Sequence, residues 1–135
     1  MSQPYDDDNP FGYPAGIWRL FRDPPLAGRF PDGTAGVVGA EAGTPAARAL
    51  LSLSLRFEGD RVADARFQAY GCPATIAVGA WIAGWARGRT VSELASLTAA
   101  TLRTALEIPE DRAHCALLGE DALRAVLHRH QEWKA

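Results

Sequence analysis

The segment "LLSLSLRFEGDRVADARFQAYGCPATIAVGAWIAGWA", residues 50–86, decides the fold. Its first part alternates with a period of two. Leu51, Leu53, Leu55 and Phe57 point one way and Ser52, Ser54 and Arg56 the other, the pattern of a strand with one packed face. "EGD" reads as a three-residue turn. "RVADARFQAY" then returns as a second strand, with Ala63, Ala65, Phe67 and Ala69 on one face. The alternation stops at Gly71. Pro73 suits the first turn of a helix, where no N–H is needed and φ is preset. That helix runs to about Arg87 and stops at Gly88. It is apolar nearly all round, so it belongs in the centre of the fold, covered on several sides.

Downstream, Thr90 and Glu93 have the spacing of a capping box for a short helix, and Thr98–Leu106 is another helix. "IPEDRAHC" (108–115) opens the last one: Pro109 fits its first turn, and Glu110 and Asp111 complement the positive end of its dipole. Leu118, Ala122, Leu123, Val126 and Leu127 form its buried stripe. His128 and His130 lie two apart, so they do not face each other on a helix, and both read as solvent-exposed. Upstream, Gly33–Gly43 reads as a glycine-rich loop with a short edge strand at Val37–Val38; it lacks the spacing of phosphate-binding loops. Residues 1–33 form an arm holding most of the nine prolines. The arm also carries an acidic run, Asp6–Asp8, and the aromatics Tyr5, Phe11, Tyr13, Trp18, Phe21 and Phe30. "GIWRLF" (16–21) reads as one helical turn there, and the aromatics imply packing against the domain surface or against a partner protein.

Strands followed by helices give an α+β fold: a small antiparallel sheet of about three strands, with helices packed mainly on one face. The organisation is an arm, 1–33, followed by a folded domain, 34–135. With 135 residues, a net charge of −2 and no basic stripe, the chain gives no electrostatic case for nucleic acid. "ATIAVGAWIAGWA" (74–86) falls short of the roughly 20 residues needed to span a bilayer, so no membrane association is expected. Two cysteines do not make a disulfide framework, which points to the reducing cytoplasm.

Those two cysteines carry the chemistry. Cys72 stands at a helix N-terminus, where free N–H groups and the helix dipole favour a thiolate. His114 and Cys115 open another helix. If the two helix starts converge, two sulfurs and one imidazole share a site suited to zinc, iron or an iron–sulfur cluster. The spacing alone equally allows two small buried thiols. No nucleophile–base–orienter set is present, so the chain does not read as a conventional enzyme.

"DARFQAYGCPATIA" (64–77) followed by "RAHCALLGEDALRAVL" (112–127) resembles the iron–sulfur cluster assembly scaffolds of the IscU/NifU N-terminal family over roughly residues 34–130. The resemblance implies a scaffold or carrier that builds a 2Fe-2S cluster from iron and from sulfur delivered by a cysteine desulfurase, and passes it to cluster-accepting proteins. It also implies zinc binding. Cys72 then takes the family's second cysteine position, His114 its histidine and Cys115 its third cysteine. The family's first cysteine and its aspartate have no counterpart: the matching stretch "GAEAGTPAARA" (39–49) contains neither, and Gly43 or Ala46 stands at the cysteine's place. Glu41 is the one acidic side chain there and a candidate fourth ligand. Two thiolates per chain would also suffice for a cluster bridging a dimer. "IPEDR" (108–112) keeps one proline of the segment that an Hsp70-type chaperone reads in some members, which argues against that handover. Cys72 is further a candidate sulfur acceptor through a persulfide. Two other readings stay open: a relative that binds no metal and acts by binding or regulating a partner such as a desulfurase, and a redox pair closing a Cys72–Cys115 disulfide.

Overall fold

The computed structural model describes residues 9–134; Tyr5 and the acidic run Asp6–Asp8 lie outside them. In chain order the elements are α1 (Ala15–Arg22), β1 (Val37–Thr44), β2 (Ala49–Glu58), β3 (Arg61–Tyr70), α2 (Pro73–Ala86), α3 (Val91–Leu94), α4 (Ala99–Leu106) and α5 (Ala113–Lys134). Single 3-10 turns precede β2 (Pro45–Ala47) and α5 (Glu110–Arg112). The three strands form one antiparallel sheet in the order β1-β2-β3. Helices α2 and α5 pack on one face of it, over Leu51, Leu53, Leu55, Ala65 and Phe67, all buried. This is the α+β architecture expected from the alternation of β2 and the apolar run of α2.

Several local expectations change. Residues 37–44 are not a loop with a two-residue strand but a full edge strand, paired with β2 from Val37↔Arg56 to Thr44↔Ala49. Glycine and alanine supply no alternation to read, and β2 imposes the pairing. The hairpin turn holds two residues rather than three. Glu58 pairs with Arg61, and Gly59 takes the positive φ of 64° that such a turn requires. Pairing then slips from Arg56↔Asp64 to Phe57↔Val62. The bulge leaves Ala63 unpaired and turns Val62, not Ala63, into the core, where it is 1% exposed. Finally, His130 is buried, 3% exposed, and stacks on Phe57 with ring centroids 4.0 Å apart. His128 is exposed, beside Glu132. His130 extends the buried stripe Cys115, Gly119, Ala122, Val126 by one more turn, so the 3.6-residue period puts it inside.

The arm from Asn9 onward packs on the domain. α1 lies along α2, and its Ile17 is fully buried in the common core. Tyr13 stacks on Trp18, and Trp18 leans on Phe21. Further on, Phe67 N donates to Leu26 O and Gly28 N to Phe67 O, covering the outer edge of β3. Phe11 stays outside, 81% exposed.

The caps at the helix starts follow their residues. Thr90 and Glu93 make the full reciprocal capping box of α3, and Thr98 accepts from Thr101 N at the start of α4. Pro109 caps the 3-10 turn ahead of α5 rather than opening the α-helix itself, because a missing N–H is tolerated equally there.

Candidate thiol and metal site

The site is made where β3 turns into α2 and α5 begins. Gly71 adopts φ 151°, and a Cβ there would stand 2.9 Å from Thr75 Oγ1, so glycine lets the corner close tightly over the first turn of α2. Cys72 is the N-cap of that helix, with Pro73 following, and Thr75 N donates to Cys72 O. Cys115 lies in the first turn of α5, fully buried.

The two helix starts converge. Cys72 Sγ and Cys115 Sγ are 3.7 Å apart, a non-bonded contact well beyond the roughly 2.05 Å of a disulfide; both thiols are free. Thr75 Oγ1 completes a triangle, 3.4 Å from Cys115 Sγ and 3.7 Å from Cys72 Sγ. The sulfurs differ in state. The hydrogen bond from Cys115 lowers the Cys72 pKa far below its ordinary value; burial opposes this, and donors from Thr75 and Ala74 add to it. The same bond, with burial, pushes Cys115 up. The contact therefore favours the thiolate at Cys72 and the protonated thiol at Cys115. Arg112 adds positive charge that acts on both sulfurs. Tyr13 and the charge on Cys72 favour its charged form.

The other candidate ligands lie elsewhere. His114 is exposed, because neighbours on a helix point about 100° apart and Cys115 takes the inward direction. Among the described residues no group of three or more His, Cys, Asp or Glu side chains is placed to hold one metal ion. Glu41 sits opposite Ser52 on β1. It lines a groove on the outer face of the sheet with Ser52, Ser54 and Gln68, and a second at the sheet edge with Ala125 and Arg129 of α5. Gly43 does approach the site's helix: a Cβ there would meet Leu118 Cδ1 at 2.9 Å and Ala49 O at 2.2 Å. The sequence reading missed Thr75 and Arg112. Thr75 was available from its i+3 spacing to Cys72, which puts both on one side of a helix turn.

The donor set fits one side of a metal. Two sulfurs bound to one tetrahedral ion at about 2.3 Å stand about 3.8 Å apart, and these stand 3.7 Å apart. A pair at this spacing could supply at most two of four coordination positions.

This geometry accords with what the chain resembles. The family model described as NifU-like N terminal domain matches residues 12–135, and the chain belongs to that family. The match takes in most of the arm as well as the domain. Among its relatives is an "Iron-sulfur cluster assembly scaffold protein IscU" of Escherichia coli, 28% identical over 79% of this chain and 84% of the relative. Another is "Iron-sulfur cluster assembly protein 2" of Arabidopsis thaliana, 30% identical over 85% of this chain and 71% of the relative. The crystal structure of a NifU-like N-terminal protein from Brucella abortus shares the fold, with a TM-score of 0.64 and 18% identity over 87% of this chain and 93% of that one. A chain from Fervidobacterium islandicum gives 0.65 and 19% over 85% and 96%.

Proposed function

We propose that this protein is a scaffold-like component of iron–sulfur cluster assembly, which holds iron, a 2Fe-2S cluster or zinc as cargo on the Cys72–Cys115 dithiol. The observation that carries the reading is the 3.7 Å separation of two sulfurs brought together from distant helix starts. Such a pair suits one iron of a two-iron cluster, each of whose irons takes two protein sulfurs. The names of the relatives support the same role.

With the family's first cysteine and aspartate replaced, the remaining positions are filled from outside the dithiol. A second copy of the chain would supply two more thiolates and complete four. An external thiol or water serves for a single ion, and His114, adjacent to Cys115 and exposed, can swing toward cargo from the solvent side. The Cys72 thiolate is also the nucleophile that would accept sulfane sulfur from a cysteine desulfurase. Cluster-accepting proteins then take the product, and the chain acts as a carrier rather than an enzyme.

Anaerobic reconstitution with iron and sulfide tests this. The wild type should develop the visible absorption of a cluster and retain iron. Cys72→Ala and Cys115→Ala should lose both, and His114→Ala should load less. A wild type that stays colourless and retains no more iron or zinc than the variants sinks the reading. The competing role, partner binding without metal, would then stand; the lack of a three-ligand group among the described residues favours it.

A further inference from the structure

Cys72 and Cys115 are solvated by different means. Cys72 sits half-buried at the N-cap of a 14-residue helix, beside the N–H groups of its first turn. Cys115 is fully buried, inside the first turn of its own helix, where water does not reach its sulfur. The side-chain hydroxyl that reaches it is that of Thr75, 3.4 Å away and itself 1% exposed. This hydroxyl is held in place. The Thr75 side chain packs against the Cβ-less face of Gly71, where a β-carbon would come within 2.9–3.2 Å of three of its atoms.

We propose that Thr75 is the positioning residue that lets Cys115 serve as a metal ligand, by donating an O–H···S hydrogen bond to the Cys115 sulfur once its own proton has left. The inference rests on the reading that the dithiol holds metal. In the metal-free pair the two sulfurs are in S–H···S contact at 3.7 Å. A metal ion takes both sulfurs as thiolates, and the Cys115 proton is released to solvent. That leaves a second negative sulfur inside the protein. A buried charge without a hydrogen-bond partner is costly, and the Thr75 hydroxyl, one donor with a free rotor, is positioned to meet it. The hydroxyl does not ligate. It orients and stabilises a ligand, as outer partners of metal ligands do.

The test uses cobalt(II) alone, added anaerobically to the full chain. Sulfur-to-cobalt charge-transfer absorption reports thiolate ligation, and chelator competition gives the affinity. Wild type and Thr75→Ser should bind alike. Thr75→Val keeps the shape and loses the hydroxyl; it should bind about 10–100-fold more weakly, with its charge-transfer band moved to longer wavelength. Urea denaturation of the metal-free variants should show Thr75→Val no less stable than Thr75→Ser. If Thr75→Val is too unstable to load, Thr75→Ser against Thr75→Ala makes the same comparison of hydroxyl with none. Binding by the hydroxyl-free variant within about twofold of its hydroxyl-bearing partner overturns the proposal, as does an equal loss in Thr75→Ser and Thr75→Val, which marks a packing role. A wild type without the charge-transfer band overturns the metal reading itself and this inference with it. A wild type that loads beside an equally loaded Thr75→Val overturns this inference alone.

Discussion

Gly119 of α5 lies so close to Val78 of α2 that a β-carbon on Gly119 would stand 2.4 Å from Val78 Cγ1 and 2.8 Å from Ile82 Cδ1. Cys115 is one helical turn before Gly119, and Cys72 caps the helix that carries Val78. The crossing of the two helices therefore sets how near the two sulfurs come. Gly119→Ala should destabilise the fold by about 1–3 kcal/mol through overpacking, although alanine is the better helix former by about 1 kcal/mol. Gly84→Ala, with nothing within 4 Å of the new carbon, should stabilise by about that propensity difference. Urea denaturation of both variants decides. A stabilised Gly119→Ala would mean the crossing is loose and does not fix the sulfur pair.

Much of this was legible in the sequence, and the parts that were not have physical reasons. The period-two run Leu51–Phe57 and the helix-opening Pro73 carried the hairpin and the central helix, because strong alternation and a special φ are local signals. The "GCP" corner and the "HC" pair gave the two sulfurs for the same reason. The bulge at Ala63 was not legible, since an extra residue in a strand shows only against its partner. Edge strand β1 was hidden because "VVGAEAGT" has small residues on both faces and is held by β2. His130 was legible in principle, because the 115, 119, 122, 126 stripe extends to 130, but a polar residue at the end of a stripe reads as its boundary. His114 was grouped with the thiols by adjacency in sequence, whereas on a helix adjacency means divergence.

The segment from the end of β1 into the 3-10 turn, which matches the family's first-cysteine stretch, offers two positions with opposite tolerances. Gly43 has φ 87°, and its missing β-carbon would collide with Ala49 O, so Gly43→Cys should cost at least about 1–3 kcal/mol from backbone strain alone. Ala46 is exposed in the 3-10 turn between β1 and β2, and Ala46→Cys should change stability by no more than about 0.5 kcal/mol. Chemical denaturation under reducing conditions compares them. Equal tolerance at Gly43 would show that β1 shifts freely at its end.

The two histidines at the far end of α5 should separate cleanly. His130 stacks on Phe57 at the core's margin, so His130→Ala leaves a cavity and should cost about 2–3 kcal/mol. His128 is exposed beside Glu132, and His128→Ala should fall within about 0.5 kcal/mol of wild type. Melting temperatures of the two variants at neutral pH settle it, and a similar small effect for both would contradict the buried stack.

The opposed pKa shifts of the two thiols predict the shape of stability against pH. The thiols of the unfolded chain titrate at the ordinary thiol value of about 8.5. The native Cys72 pKa is lowered. Between that value and the unfolded one, the unfolded state binds a proton that the native state lacks, so stability rises with pH across this window. It is lost again as pH falls through the native Cys72 pKa. Native Cys115 is raised. Above the unfolded value it keeps a proton that the unfolded state has given up, and stability falls. The contribution of the pair thus peaks where free thiols titrate. Urea denaturation of wild type and Cys72→Ala across pH should give a difference that grows from about pH 6 toward about pH 8.5. In the same range, alkylation of native Cys72 by iodoacetamide should proceed at a nearly constant rate with Cys115 unmodified. The urea-unfolded chain should instead react about tenfold faster per pH unit. A native Cys72 whose rate climbs as steeply as the unfolded one would mean that Cys115 does not hold it as a thiolate, and the two sulfurs would then be packing partners only.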